Sequence, residues 1–210
     1  GLAHFQRAAF SAEHSGDLRA SFAAKLELLA LVSDRSGPAA ASGILADVRQ
    51  IATKLGEPAI TARLHMTVAQ TEAKRGLLEN ARRHISIAHR ILTGSPNAYL
   101  EAYAGNLDLA IAVLRSEFDF AKKCGFRALD MAQKSGVVRI QAAVLANMGN
   151  MFFEVGEFDR AREQFEKALA AAPTHGPQTI GSLESLARVH RYEGEMDRCL
   201  SKLDQIISLP

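Results

Sequence analysis

Four short turns punctuate the second two-thirds of the chain at an almost constant interval. They read Gly76-Leu77-Leu78-Glu79, Ser116-Glu117-Phe118-Asp119, Gly156-Glu157-Phe158-Asp159 and Gly194-Glu195-Met196-Asp197, and their first residues are 40, 40 and 38 positions apart. A small side chain follows each turn start five residues on: Ala81, Ala121, Ala161 and Cys199. Ala88, Ala128, Ala168 and Ile206 then occupy the same register seven residues further. A period in this range, with helical sequence on either side of each turn, belongs to stacked helical repeats, whose units bury their apolar faces only against one another. This recurrence constrains the fold more tightly than any other feature, and it assigns the chain to the all-α class.

Composition agrees. Alanine, leucine, glutamate and arginine dominate and tryptophan is absent, which favours helix over sheet. A repeat array grows along one axis, so all 210 residues are read as one domain. The 25 basic and 23 acidic residues leave a net charge of +2, without the basic excess of a dedicated nucleic-acid binder. Cys124 and Cys199 form no Cys-x-x-Cys pattern, so neither a disulfide framework nor a zinc site is indicated. Sparse cysteine fits a reducing compartment. No apolar run reaches the ~18 residues needed to cross a bilayer, and no signal-peptide layout opens the chain. A cytoplasmic location and no membrane partner are therefore expected. The start at Gly1 instead of Met is read as a trimmed chain or a fragment.

The most legible unit runs from Gln141 to Pro173. Its first helix places Leu145, Met148, Gly149 and Phe152 on one face. Gly156 ends that helix by entering the left-handed conformation. Asp159 puts an acidic residue at the positive end of the next helix, whose inner face carries Ala161, Phe165, Ala168 and Leu169 before Pro173 closes the unit. The order Leu145, Met148, Gly149, Phe152, Gly156, Ala161, Phe165, Ala168, Pro173 resembles the tetratricopeptide repeat family, in a variant with long repeats of about 40 residues against the usual ~34. The family's Trp-like and Tyr positions hold Leu145 and Phe152 here. Weaker copies run from Ala62 through Ala88, from Ala102 through Ala128 with Gly125 in the place of Phe165, and from Ile180 through Ile206. With Gly56, Gly94, Gly136 and Gly176 as connections, the repeats are 58–94, 97–136, 137–176 and 177–210, after degenerate helices in 1–55. Those first helices are expected at about 2–14, 17–33 and 39–55, with Ser33 to Pro38 as a loop; the latter two form a degenerate repeat and the first a half-unit. The resemblance implies about eleven antiparallel helices in a right-handed superhelix, an α-solenoid.

No catalytic or cofactor chemistry stands out. His84 and His89 are five residues apart, about 140° around a helix, and there is no His-Glu-x-x-His, Cys/His cluster or phosphate-binding glycine loop. No metal, no cofactor and no enzymatic activity are expected. Cys199 takes a packing position, and Arg82, Arg83, His89 and Arg90 decorate a solvated outer helix.

The resemblance does imply a binding surface: the first helices of the units line a concave groove that receives a protein or peptide, the second helices the convex wall. Positions pointing away from the Leu145–Phe152 packing face include Asn147, Asn150 and Phe153, with Gln70, Tyr103, Asn106, Arg188 and Arg191 at equivalent or neighbouring places in other units. A carboxamide can both donate to and accept from a peptide backbone, and the family uses groove asparagines in this way. Asn106, Asn147 and Asn150 are thus expected to hold backbone, with Tyr103, Phe153, Arg188 and Arg191 giving selectivity. The family's clamp for chaperone C-terminal carboxylates is excluded, because its Lys and Asn places read Met66 and Gln70, the Asn place of the next unit reads Leu107, and the Lys-Arg pair of the third reads Ala143 and Asn147. The expected function is non-catalytic peptide or protein recognition. Two alternatives stay open: a regulatory sensor segment of a larger bacterial protein such as a transcription regulator, binding a signal peptide or small ligand, and a scaffold that homo-oligomerises through terminal helices carrying Ile206, Ile207 and Leu209.

Overall fold

The turn that recurs in the sequence recurs in space as one hydrogen-bonded device. In a computed structural model, which describes residues 2–171 and 177–209 and, at 177 and 178, the backbone alone, each turn start adopts a left-handed backbone: Gly76, Gly156 and Gly194 at φ 76°, 81° and 78°, and Ser116 at φ 59°. The turn residue's N–H bonds back three residues and the next N–H five, as in Gly156 to Phe153 O (3.0 Å) and Glu157 to Phe152 O (2.9 Å). This closes the helix's last carbonyls. The small residue then makes an early backbone bond of the following helix, as in Ala161 N to Glu157 O at 2.9 Å.

All described elements are helical: α1 Leu2–Ser15, α2 Leu18–Leu55, α3 Pro58–Lys74, α4 Leu78–Gly94, α5 Ala98–Leu114, α6 Phe118–Ser135, α7 Val138–Glu154, α8 Phe158–Ala171, α9 Pro177–Tyr192 and α10 Met196–Ile207. They form the antiparallel helix pairs of a tetratricopeptide-like solenoid, divided into two units, 1–100 and 101–210. None of these helices is long and apolar enough to cross a membrane.

In the first unit the Gly16 turn repeats the later ones, with Gly16 N to Glu13 O at 3.2 Å and Asp17 N to Ala12 O at 3.0 Å. So α1 joins the first half of α2 as the other pairs are joined, and is not the separate half-unit that spacing suggests. The expected loop from Ser33 to Pro38 is also absent. The helix runs on through Ser36, and one residue, Gly37 at φ 80° and ψ 170°, redirects it before Pro38 opens the next segment. The two halves of α2 pack together through Phe22, Leu26 and Leu29 against Ala41, Val48 and Ile51. Lys25 reaches both Glu13 and Asp47, each at 2.6 Å.

In the second unit the helix pairs close on glycine. A Cβ on Gly149 would lie 2.5 Å from Cε1 of buried Phe165, so this crossing admits no side chain there. The α5–α6 pair reverses the sizes: Leu109 on the first helix is large, Gly125 on the second is bare, and Met148 of α7 fills the remainder, its Cγ 2.9 Å from where a Gly125 Cβ would be. Of the expected connections, Gly56 and Gly136 are left-handed caps at φ 63° and 66°. Gly94 instead remains within α4, with Ser95 as the cap. Pro173, Gly176 and Pro210 lie outside the described residues.

Candidate functional site

The face shared by α5, α7 and α9 carries two side-chain rungs. Asn147 Nδ2 donates to Asn106 Oδ1 at 3.0 Å, joining α7 to α5. Arg188 Nη2 donates to Asn150 Oδ1 at 2.8 Å, joining α9 to α7. Asn106 is only 7% exposed, so its rung is largely shielded from water. A guanidinium can only donate, which fixes the orientation of the Asn150 amide: its oxygen faces Arg188 and its NH2 is left over. Asn147 likewise keeps one N–H and its own oxygen. The two asparagines are three residues apart, neighbours on one helix face.

The rungs lead into an aromatic cluster. Arg188 lies over the Phe153 ring, 4.1 Å from its centroid, a geometry that favours a cation on the negative face of the ring. Tyr192 meets Phe153 edge-on at 5.0 Å and Phe158 at 5.8 Å. Tyr192 is nevertheless 61% exposed, so the cluster presents an aromatic surface to solvent beside the guanidinium. Arg191 stands 5.9 Å from the Tyr192 centroid. The Nε of Arg188 is buried without a hydrogen-bond partner among the described residues.

The structure therefore brings Asn106 and Asn147 together, and Asn150, Phe153 and Arg188 together, with Arg191 adjoining through Tyr192. Tyr103 is half-buried on α5 one turn before Asn106, and Gln70 is half-buried on α3 in the first unit. Tyr192 stands among the outward-facing positions that the spacing marks on the last first helix, whereas sequence reasoning missed Phe158 as a member. Phe158 had a signal, since the second residue after each turn start is apolar (Leu78, Phe118, Phe158, Met196).

A second polar cluster closes the turn between α9 and α10. Buried His190 places Nδ1 2.7 Å from Glu195 Oε2 and 3.8 Å from Glu193 Oε2. Arg162 Nη1 pairs with Glu193 at 2.7 Å and Arg198 Nη1 with Glu195 at 2.9 Å. The hydrogen bond from His190, then the Arg198 charge, hold the Glu195 carboxyl below its ordinary range. These are the three metal-capable side chains that converge among the described residues. Two carboxylates already face two guanidiniums, so the cluster is charge-balanced and acts as a clasp that ties α8, α9 and α10.

Comparison with known proteins agrees with this architecture. Residues 142–175 match the tetratricopeptide repeat family, the stretch that holds Gly149, Phe165, Asn147 and Asn150. The chain resembles BtubC from P. vanneervenii at 18% identity and TM-score 0.71, covering 99% of this chain and 89% of that one. It also resembles a signal transduction ATPase with numerous domains (STAND) carrying a tetratricopeptide repeat sensor, from Pyrococcus horikoshii. There the identity is 16% and the TM-score 0.72, over 96% of this chain but only 30% of that one. No curated protein sequence matches the chain. The fold is thus a tetratricopeptide-like helical repeat.

Proposed function

We propose that the chain is a non-catalytic recognition module that binds an extended peptide or protein segment on the α5–α7–α9 face. The observation that carries the reading is the pair of rungs: Asn147 and Asn150 are each held by one hydrogen bond and each keeps unspent capacity, an acceptor on one and an NH2 on the other. Held carboxamides lose little further freedom on binding, and one donor and one acceptor a turn apart suit a peptide unit. Phe153, Tyr192, Arg188 and Arg191 would select side chains beside that backbone contact.

The test is peptide selection on the immobilised full chain, followed by anisotropy titration of the selected peptides. Asn147→Ala with Asn150→Ala should weaken binding by about 5- to 150-fold, the equivalent of two hydrogen bonds of 0.5–1.5 kcal/mol each, with the circular dichroism spectrum retained. Selected peptides that bind the double variant as tightly would remove the site from this face. A sensor segment within a larger regulatory protein is the second reading, supported by the likeness in fold to the STAND protein's repeat sensor; a full-length polypeptide with an attached ATPase or DNA-binding domain would favour it. Self-association is supported by exposed Met196, Leu200, Leu203 and Ile207 along α10, and would show as a concentration-dependent mass in sedimentation.

A further inference from the structure

In the first unit the second half of α2 packs with α3 and α4 around a cavity of about 310 Å³. One end holds Arg49, His65 and His84; the rest of the wall includes Leu64, Val68, Thr53 and Thr61. A second cavity of about 470 Å³ shares Ala52, Thr53 and Thr61 with it and is otherwise walled by groups such as Pro58, Ile91 and Gly94. Together they form an amphipathic slot with its cationic groups at one end.

The histidines are not merely adjacent. Nδ1 of His65 and Nδ1 of His84 are 2.8 Å apart, so one ring carries the proton there and the other offers its lone pair. The ring that donates through Nδ1 has a bare Nε2. Protonating that Nε2 leaves the internal bond intact and makes both outer nitrogens N–H donors. A second proton would set two N–H groups against each other, so the pair takes one proton and no more.

Nothing in the unit balances that charge fully. Arg49 is exposed at the cavity's rim and has no carboxylate partner among the described residues. Glu72 on α3 acts on His84 but is already engaged by Arg75 at 3.1 Å. Burial first, then the neighbouring charges of His84 and Arg49, hold His65 below its usual value; burial, then Arg49, do the same for His84, against the pull of Glu72. The two threonine hydroxyls donate to backbone, Thr53 to Arg49 O at 3.0 Å and Thr61 to Glu57 O at 3.2 Å. With their protons committed to backbone they have none to give an anion, so its recognition falls to Arg49 and the imidazole pair. That single guanidinium with one shared proton suits a monoanion better than a multiply charged phosphate.

We propose that this slot binds an organic carboxylate with an apolar tail, its head group on Arg49 and the singly protonated His65–His84 pair and its tail along Leu64, Val68 and Ile91. The carboxylate belongs either to a free acid or to the C-terminus of an apolar peptide segment. The site lies wholly within the first unit and is independent of the peptide face proposed above. Binding draws a proton onto the pair, so affinity rises as pH falls through the histidine range.

Calorimetric titration of the full chain with octanoate, N-acetylleucine, acetate and octan-1-ol, at about pH 6 and about pH 8, tests this, with histidine NMR titration alongside. Octanoate or N-acetylleucine should saturate one site, the tighter of the two identifying the source. Affinity should increase toward low pH by at most about tenfold per unit, the limit for one linked proton, and the single protonation that His65 and His84 share should move upward in the complex. Arg49→Gln, at an exposed position, should keep the fold and weaken octanoate at least about tenfold, as loss of a charge-assisted bond does. Replacing both imidazoles, His65→Gln with His84→Gln, should remove the pH dependence. Octan-1-ol binding as tightly as octanoate, or an Arg49→Gln affinity equal to wild type, would overturn the proposal.

Discussion

Substituting Gly149 by alanine sets two effects of known sign against each other. Alanine is favoured over glycine in a helix interior by about 1 kcal/mol, so on propensity alone the change stabilises. The structure opposes it: the new Cβ would lie 2.5, 2.7 and 2.9 Å from three ring carbons of Phe165, where ordinary contact begins at 3.4 Å. The ring would have to retreat by about 1 Å, yet it is wholly buried, and overpacking of this kind costs about 1–3 kcal/mol. Gly181, in the same unit and also helical, supplies the control, because a Cβ there meets nothing within 4 Å. Gly181→Ala should stabilise by about 1 kcal/mol. The propensity gain cancels between the two variants, so their stabilities should differ by the overpacking cost alone, about 1–3 kcal/mol. Urea unfolding followed by circular dichroism, with m-values compared for equal exposure of surface, measures the difference. Adding Phe165→Leu to Gly149→Ala should recover part of the loss. Equal midpoints for Gly149→Ala and Gly181→Ala would refute the close crossing.

Ser116→Gly should stabilise by about 1 kcal/mol, because a Cβ in the left-handed region costs roughly 1–2 kcal/mol and Ser116 is, among the described residues, the non-glycine residue held there, at φ 59°; thermal or urea unfolding reads the gain. Asn147→Ala should cost about 1 kcal/mol by leaving buried Asn106 Oδ1 without its donor, and equal stability would show that this rung is not closed in solution. Acid should weaken the first unit through the imidazole pair. Both folded pKa values lie below the ordinary 6.5, so the unfolded chain takes up protons first and stability falls as pH drops from 6.5 toward the lowered folded values. His84→Gln should flatten the urea midpoint across that window, and an unchanged slope would exclude the pair as its source.

The repeat was legible because its turn demands a left-handed residue and a small one five places on, and few side chains meet both demands. Ser116 was recognisable through its position in the period even though it lacks glycine's freedom. Sixty residues between Gly16 and Gly76 resisted the same reading, since a Gly-Pro pair looks like a loop when it is in fact a one-residue redirection at Gly37 within nearly continuous helix. Asn106 and Asn147 are 41 positions apart and Asn150 and Arg188 are 38, both close to the period. The sequence thus placed these residues on neighbouring first helices. It did not show that they bond one another, since that depends on a helix register finer than the period resolves. His65 and His84 had a different signal: they stand 11 residues before and 8 after Gly76, nearly equidistant from the turn, and such positions face each other across a helix hairpin. A search for histidines on one helix misses them.

Gly125 shows what the repeat conserves physically. Against the unit at 141–173 it is a departure, a bare position where Phe165 fills the crossing. The departure is compensated on the facing helix, where Leu109 stands in the place that Gly149 takes in the later unit, and by Met148 from α7. The crossing requires a filled volume and is indifferent to which helix supplies it. Gly125→Phe alone should therefore be strongly destabilising, because its first carbon would already lie 2.9 Å from Met148 Cγ and 3.4 Å from Leu109 Cδ2. Leu109→Gly alone should also destabilise, by about 2–5 kcal/mol for the cavity plus about 1 kcal/mol for glycine in a helix. Combined, they transplant the 149/165 arrangement into α5 and α6, and the double variant should be more stable than the sum of the singles by at least about 1 kcal/mol. Strict additivity in a double-mutant cycle would show that the two positions do not share one space.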